Sequence, residues 1–362
     1  GVGRRYEPRA YDNRFHGPVT VRTALANSYN VPAVKLLAAY GVQPMVERLR
    51  GMGLASLDQE NSWYGLSLAL GGAEVTLLDL TTAYHILANG GQYLPPESVR
   101  TVVDGQGQAT SAEMATPGRQ LLAPAAAFLV TDILSDNTAR TPMFGANSPL
   151  LLSRPAAAKT GTTNDLRDNW TVGFTRYLVA GVWAGNSDGR PMRGATGVSG
   201  AAPIWHSFME AVLADPTLLA MLDAPAQSEA WSFAPPPGIQ QLALCPPGLS
   251  CRQDGEYFSA EWLQQNGGDP LRDSVVQKAA APVYVESAEG RRQAGFCSVP
   301  YVPADTAPRI LLALPSGLGA AAAPAPGEQI SPSTPALLDQ VRQEQRQALA
   351  WSLAAALPID LD

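Results

Sequence analysis

Residues 156–174 read AAAKTGTTNDLRDNWTVGF, and this stretch decides the fold. Lys159 follows three alanines, and Gly161 separates two threonines ahead of an apolar aromatic run. The runs 170–174 and 178–183 are short and β-prone, which predicts an antiparallel hairpin. A charge at the start of such a segment needs a reason, because charged side chains avoid apolar surroundings unless they are paired or bind something.

The triplet Lys159-Thr160-Gly161 and the following Thr162 fit a binding edge. If these residues form an edge strand, their free backbone groups can pair with an extended peptide, and Gly161 admits that ligand without a Cβ in the way. Lys159 would offer a charge for a carboxylate, and the two threonines would offer hydroxyl donors. A backbone N–H near Thr162 could serve as one arm of an oxyanion hole. The alternative is a surface lysine that precedes a turn.

The composition bounds the class of protein. With 362 residues and 46% hydrophobic content, the chain can hold one large domain or two smaller ones. The net charge of −7 favours solubility and argues against nucleic acid as the main partner. No apolar run reaches the roughly 18 residues that a membrane span needs. The chain opens with Gly1 and shows no signal peptide, so we expect a processed chain or a piece of a longer one.

The cysteines and histidines do not suggest a metal site. Cys245, Cys251 and Cys297 lie in the last third, and the three histidines are scattered. Cys245 and Cys251 are close enough in sequence to form a disulfide, which would suit an oxidising compartment. A reduced buried pair is the alternative.

Helix signals flank the hairpin. Thr20 is a candidate N-cap for a short helix whose apolar face would carry Val21, Ala24 and Leu25. Thr76 would cap another helix that Gly90-Gly91 ends. Further along the chain we expect a helix over 124–135, a polar loop over 136–148, a glycine-rich loop over 186–200 and a helix over 203–213.

Composition shifts divide the chain into three parts. Residues 1–225 form the main domain, and residues 226–300 are a proline-rich linker with a small β-rich module. Residues 301–362 are rich in Ala and Pro, which predicts a linker and then a terminal helix.

A second triplet, Ser28-Tyr29-Asn30, lies between two predicted helices. Asn30 fits the N-cap of a helix that starts at Val31, and Ser28 fits a loop residue after the preceding helix. Together with K-T-G, however, the triplet matches a constellation of three motifs: S-x-x-K with a serine nucleophile, an S-x-N-type triplet, and K-T-G.

The text around these motifs resembles the transpeptidase domain of class A penicillin-binding proteins. The resemblance rests on GPVTVRTALANSYNVPAVKLL, LALGGAEVTLLDLTTAYHILANGG and RPAAAKTGTTNDLRDNWTVGFTRYLVAGVWAGNSD, and it covers roughly residues 6–215. The segment PPPGIQQLALCPPGLSC also looks like the region that follows this domain in some members. The implied fold is α+β, an antiparallel sheet flanked by helices, truncated at its N-terminus and followed by the small β-rich module.

The resemblance implies how the strand edge would act. Lys159, Thr160 and Thr162 would hold the terminal carboxylate of a D-Ala-D-Ala stem peptide or of a penicillin. Gly161 would keep the edge open. No cofactor or metal is implied.

The resemblance also implies roles for the S-Y-N triplet. Ser28 would relay a proton to the leaving amine, and Asn30 would hydrogen-bond the substrate amide and the motif lysine. Tyr29 could line the groove, although core packing is the alternative. Asp168 and Trp170 would be structural, fixing the strand behind the site.

One motif of the constellation is missing, because no serine in the chain has a lysine three positions on. In the family, S-x-x-K precedes the S-x-N triplet, so the nucleophile would lie upstream of residue 1. A glycosyltransferase domain and a membrane anchor would lie further upstream. We therefore expect a fragment of a bifunctional cell-wall synthase, inactive by itself and located on the extracytoplasmic face of the bacterial membrane.

The implied reaction is D,D-transpeptidation of peptidoglycan through an acyl-serine intermediate. The expected partners are stem peptides, lipid II-derived glycan strands, β-lactams and the cell-wall synthesis machinery. Two alternatives stay open: a non-catalytic module that binds peptidoglycan or β-lactams, and a hydrolase such as a carboxypeptidase or β-lactamase.

Overall fold

The computed structural model describes residues 16–17, 19–99, 101–111, 118–163, 166–225, 227–243, 252, 254–268 and 270, and the backbone of three strands within residues 283–312. The chain divides into two compact units. The larger comprises Gly1–Asn13, Val21–Gln240 and Tyr257–Ser259, and the smaller comprises Arg14–Thr20, Gln241–Glu256 and Ala260–Asp362. Within the part of the chain that is described, no helix combines the length and apolar character that spanning a membrane requires.

Helices dominate the larger unit. The α-helices are α1 (Val21–Ala26), α2 (Asn30–Tyr40), α3 (Val42–Gly51), α4 (Leu77–Ala88), α5 (Pro124–Ser135), α6 (Asn137–Phe144), α7 (Ala201–Ala214) and α8 (Pro216–Met221), with α9 (Ala260–Gln265) in the smaller unit. Single 3₁₀ turns are Asn61–Trp63, Leu66–Leu70 and Ser228–Trp231.

The strands form several small antiparallel sheets. Their bounds are β1 (Gln92–Tyr93), β2 (Thr101–Val103), β3 (Ala109–Ser111), β4 (Arg119–Gln120), β5 (Ala157–Thr162), β6 (Asp168–Phe174), β7 (Val179–Gly185), β8 (Ile239–Leu242), β9 (Glu256–Ser259), β10 (Val283–Ser287), β11 (Gly290–Ala294) and β12 (Arg309–Leu312). β1 pairs with β4, and β2 pairs with β3.

The central sheet has the order β5-β6-β7. The predicted hairpin is confirmed, since β6 and β7 pair antiparallel from Asp168↔Gly185 to Phe174↔Val179. Thr175 closes the turn: its hydroxyl accepts hydrogen bonds from the N–H groups of Tyr177 at 3.2 Å and Leu178 at 3.1 Å. These bonds give partners to two backbone donors within the turn.

Helices cover both faces of this sheet. On one face lies α7, whose fully buried Trp205 donates its Nε1–H to the Ala180 carbonyl at 3.2 Å. On the other face lie α4 and α5. Gly173 faces α7 and Gly181 faces α4, and neither helix could come so close if a Cβ were present. The predicted α+β class, an antiparallel sheet with helices on both sides, is therefore confirmed.

Several helix predictions are confirmed. Helix α5 spans Pro124–Ser135, as the sequence predicts, and α4 begins after Thr76, whose hydroxyl accepts from the Asp79 N–H at 3.0 Å. Helix α7 covers the predicted 203–213 and extends one residue beyond it and two before it.

The polar loop predicted over 136–148 is wrong, because residues 137–144 form α6. Asp136 caps this helix by accepting a hydrogen bond from the Ala139 N–H at 2.9 Å. Pro142 lies inside the helix, a position where proline removes a backbone donor and usually breaks the helix.

The apolar face predicted for α1 is wrong at Val21, although Leu25 packs against a buried apolar cluster as predicted. Val21 is 71% exposed, whereas Arg22 is buried and forms ion pairs with Asp132 of α5 and with Asp136, the latter at 3.1 Å. A buried arginine is tolerated because both carboxylates pair with it. The α1 helix is therefore docked by charge rather than by its valine.

The three-stranded sheet of the smaller unit has the order β11-β10-β12. The first two of these strands fall in the predicted β-rich module, while β12 lies within 301–362. The domain boundaries at 225 and 300 stay predictions. Cys245, Cys251, Cys297 and the predicted terminal helix lie outside the described residues.

Candidate active site

Lys159 meets Ser28 at the open side of the central sheet. Its Nζ donates to Ser28 Oγ at 2.6 Å and to the Thr160 carbonyl at 2.8 Å. Lys159 and Gly161 share one face of β5, because side chains alternate along a strand. The structure thus brings together two motifs that lie far apart in the sequence.

The ladder register shows which backbone groups of β5 are open. The Thr163 N–H donates to the Asp168 carbonyl at 3.1 Å, and Thr162 pairs with Asn169. Hydrogen-bonded and non-hydrogen-bonded pairs alternate in an antiparallel ladder, so the N–H and C=O groups of Thr160 and Thr162 point away from β6. Among the described strands, β5 is at the edge of its sheet. The Thr160 carbonyl already accepts from Lys159 Nζ, so the groups placed to pair with an extended ligand are the N–H of Thr160 and the N–H and C=O of Thr162.

Gly161 leaves room beside this edge. A Cβ at Gly161 would find Trp170 as its nearest neighbour, at 3.4 Å, which is an ordinary contact. The absent side chain would share the face of Lys159, where a ligand would lie. This geometry supports the role predicted for Gly161.

The glycine-rich loop holds Thr162. The Gly197 N–H donates to Thr162 Oγ1 at 2.8 Å, so the hydroxyl is oriented while it keeps its own hydrogen for another acceptor. A Cβ on Gly197 would come within 2.6 Å of the Gly161 carbonyl, so only glycine allows the loop to lie against the K-T-G strand.

Ser28 occupies a left-handed position that glycine usually fills. Its φ is 57°, at the C-terminus of α1. The Tyr29 N–H donates to the Ala24 carbonyl at 2.9 Å and the Ser28 N–H to the Leu25 carbonyl at 3.1 Å, which is the hydrogen-bond pattern of a Schellman motif with Ser28 at C′. A non-glycine residue in this conformation is strained by about 1–2 kcal/mol.

Asn30 is the first residue of α2 rather than its cap. The N-cap is Tyr29, whose side chain makes no capping hydrogen bond, so the interpretation of Asn30 as N-cap is wrong. Tyr29 and Asn30 are half-buried. Their roles in binding and catalysis stay predictions.

The electrostatics of Lys159 suit proton transfer. Burial lowers the pKa of its ammonium from 10.5 to about 8, because desolvation disfavours the charged form. Lys159 and Arg140 of α6 line one small cavity. Burial lowers the pKa of Arg140 to about 10, although the negative charge of Asp136 opposes this shift. Lys159 can therefore exchange a proton near neutral pH, while Arg140 stays charged.

Asp168 has the structural role that the sequence suggests. One carboxylate oxygen accepts from the Thr163 hydroxyl and the other from the Trp183 indole N–H, both at 3.0 Å. These bonds fix the end of the hairpin behind β5.

Within the residues that the structure describes, no three His, Cys, Asp or Glu side chains come close enough to hold a metal ion.

Asn27, which the sequence analysis did not single out, is fully buried beside Ser28. Arg22 is the second such residue, and both dock α1 against its neighbours. The signal in the sequence is weak: polar residues on both ends of a short helix that otherwise reads as apolar.

The fold and the site define a class of protein in which the end of a helix and an edge strand bring a serine and a lysine together. The model of the penicillin-binding protein transpeptidase domain matches residues 3–210, more than half of the chain. The chain belongs to this family, and the resemblance to class A penicillin-binding proteins is confirmed.

Curated relatives agree with the family match. Penicillin-binding protein 1A of Aquifex aeolicus is 36% identical over 219 residues, which are 58% of this chain and 28% of that protein. Penicillin-binding protein 1C of Escherichia coli is 33% identical over 208 residues, 58% of this chain and 25% of that protein. Penicillin-binding protein 1A of Neisseria meningitidis serogroup B is 32% identical over 304 residues, 81% of this chain and 34% of that protein.

The fold is also found in a solved structure. The crystal structure of penicillin-binding protein 1A from Haemophilus influenzae superposes with a TM-score of 0.58 and 24% identity, covering 72% of this chain and 43% of that one. The chain spans only about a quarter to a third of the curated relatives it matches.

Proposed function

We propose that the chain is the substrate-binding part of a D,D-transpeptidase that crosslinks peptidoglycan. The observation that carries this proposal is the hydrogen bond between Lys159 and Ser28 beside the open edge of β5. The family membership supports the same reaction. An extended D-Ala-D-Ala peptide would add to β5 as a further strand, with its carboxylate near Lys159, Thr160 and Thr162.

The reaction proceeds in two acyl transfers. A serine oxygen attacks the carbonyl carbon of the penultimate D-alanine, the C–N bond breaks, and D-alanine leaves with a proton on its amine. An amine of a neighbouring strand then attacks the ester, an amide forms, and the serine oxygen takes back a proton. The open N–H of Thr162 would stabilise the oxyanion of each tetrahedral intermediate.

Residues of this chain move and hold protons in that scheme. The Ser28 hydroxyl passes its proton to the leaving amine. Lys159, with its pKa of about 8, then donates a proton to Ser28. Asn30 binds the substrate amide. The attacking serine is not among these residues, because the chain contains no S-x-x-K.

In this proposal the nucleophile belongs to a longer parent, a bifunctional glycosyltransferase and transpeptidase. The parent acts outside the cytoplasmic membrane, held by an anchor upstream, and its partners are stem peptides, glycan strands and the cell-wall synthesis machinery. The chain alone is inactive, since a serine and its adjacent base are both needed to form the ester.

Intact mass after incubation with penicillin tests the proposal. The chain alone should gain no mass, whereas the parent should gain one drug molecule. A parent with Lys159→Met should be acylated at least about 10²-fold more slowly, since it loses the proton relay. An adduct on the chain alone would place the nucleophile elsewhere, and a parent that stays unlabelled would refute the reaction.

The absence of S-x-x-K also supports a second candidate, a module that binds peptidoglycan or β-lactams without catalysis. This candidate predicts reversible penicillin binding to the chain and to the parent, with no covalent adduct on either. Hydrolysis remains a third outcome, and release of free peptide acid by the parent in place of crosslinked product would identify it.

A further inference from the structure

We propose that Asn27 is the positioning residue for Ser28: its buried carboxamide bridges a gap in the hydrogen-bond ladder of α6 and so fixes the serine above Lys159. The inference rests on the proposed function, in which Ser28 relays a proton.

The carboxamide of Asn27 lies between two turns of α6. Its Nδ2 donates to the Ala139 carbonyl at 2.8 Å, and its Oδ1 accepts from the Met143 N–H at 3.1 Å. In a regular helix the N–H of Met143 would bond directly to the carbonyl four residues earlier, which is Ala139. The two hydrogen bonds of the Asn27 side chain thus go to the two groups that this backbone bond would join.

Pro142 explains why the gap is there. A proline inside a helix has no N–H, and its ring pushes away the carbonyl of the residue four positions before it, here Thr138. The distortion spreads to the next position of the ladder, where the Ala139 carbonyl and the Met143 N–H must find partners, because an unpaired buried backbone group costs about 1–3 kcal/mol. Asn27 supplies both partners, since an amide carries a donor and an acceptor.

Asn27 directly precedes Ser28 in the chain, so the hydrogen bonds of its side chain also restrain the position of Ser28. Asn27 is fully buried, and its Nδ2 also donates to the Thr23 carbonyl of α1 at 3.0 Å. The side chain thus ties the last turn of α1 to α6, and Ser28 follows immediately in its strained left-handed conformation. Strain persists only where the surroundings over-determine the backbone. A shift of about 1 Å at Ser28 would disrupt the contact with Lys159, and misplacement of that size can cost about 10²-fold in rate.

Two variants separate positioning from folding. Asn27→Ala removes the bridge and should lower both stability and function. In Asn27→Ala/Pro142→Ala the gap is also gone, so α6 can close its own ladder and the melting temperature should recover. The Ser28 turn stays unanchored from α6 in both variants. Both variants keep Arg140, which lines the same cavity as Lys159.

The readouts are thermal melting, the titration of Lys159 followed by ¹³C-lysine NMR, and the rate of labelling of the parent by a fluorescent penicillin. The double variant should melt like the native protein, yet its Lys159 should titrate at a higher pH, because a displaced Ser28 admits water to the ammonium. Labelling should stay about tenfold or more below native. Recovery of labelling and titration together with melting would overturn the proposal.

Two controls complete the experiment. Thr175→Ala breaks the hairpin turn and lowers stability, but it should leave the Lys159 titration unchanged. Asn27→Ser can still donate to the Thr23 carbonyl and cannot span the gap, so it serves if the alanine variants do not fold. A folded Asn27→Ser with native titration and labelling would also overturn the proposal.

Failure of the proposed function would look different. A native parent that no penicillin labels refutes the transpeptidase assignment, whereas the Lys159 titration, measured without ligand on the chain, still decides whether Asn27 positions Ser28.

Discussion

Ser28 Oγ lies 2.6 Å from Lys159 Nζ although 131 positions separate the two residues in the chain. The contact joins the end of a short helix to an edge strand. Each partner is held in an unfavourable state, since Ser28 has a left-handed conformation and the Lys159 ammonium is partly desolvated, which lowers its pKa. Such costs concentrate at functional sites, where the rest of the fold compensates for them.

Lys159 should titrate with a midpoint near pH 8. Burial disfavours its ammonium, so the charge is lost well below the ordinary pKa of 10.5. The unfolded chain keeps the proton up to about 10.5. Between about pH 8 and 10.5 the unfolded state therefore binds more protons than the folded state, and the contribution of Lys159 makes stability rise with pH in this window.

The affinity for a carboxylate ligand should fall as the pH rises, since Lys159 loses its positive charge above about pH 8. The measurement is ¹³C-lysine NMR, where the chain offers three lysine signals and Lys159→Met identifies one of them. A midpoint above pH 10 would contradict the buried ammonium.

Gly161→Ala should spare the fold and weaken ligand binding. The new Cβ would meet Trp170 at 3.4 Å, an ordinary contact, but would occupy the side of β5 on which Lys159 lies. We expect a change in unfolding free energy below about 1 kcal/mol and labelling of the parent slower by about tenfold. Gly65→Ala is the matched control, because its Cβ meets nothing within 4 Å. Equal labelling of the two variants would show that no ligand approaches Gly161.

Gly173→Ala should damage the fold. Its Cβ would lie 2.5 Å from the Trp205 ring and 2.7 Å from the Ala157 carbonyl. Trp205 is fully buried and cannot move aside, so overpacking should cost about 2–3 kcal/mol or more. Chemical denaturation measures this loss. A second substitution, Trp205→Phe, frees space and should restore part of the lost unfolding free energy. If nothing is restored, the clash lies elsewhere.

Much of the fold can be predicted from the sequence because local signals and tertiary structure agree there. The hairpin 168–185 contains two β-prone runs joined by a short turn, and Thr76 and Pro124 mark helix starts with side chains suited to those positions. The site residues of K-T-G and S-Y-N could be predicted for a different reason, a motif constellation that physical patterning alone does not supply.

Two of the errors arise where a distant residue overrides a local signal. Pro142 argues against a helix, yet α6 forms because the carboxamide of Asn27 pairs the groups that the proline leaves open. Val21 argues for an apolar face of α1, yet Arg22 is buried because Asp132 and Asp136 lie against it. Neither partner is near in sequence, so no window of local pattern contains the answer.

Ser28→Gly should be more stable than Ser28→Ala by about 1 kcal/mol, because glycine adopts the left-handed conformation without a Cβ penalty. Both variants lose the hydroxyl, so the difference between them reports the backbone strain at φ 57°, reduced by the greater conformational entropy of glycine in the unfolded chain. Both should also lose proton relay, slowing acylation of the parent at least about 10²-fold. The measurements are chemical denaturation and penicillin labelling. A Ser28→Gly variant less stable than Ser28→Ala would mean that Ser28 is not strained, and native labelling in either would remove Ser28 from the relay.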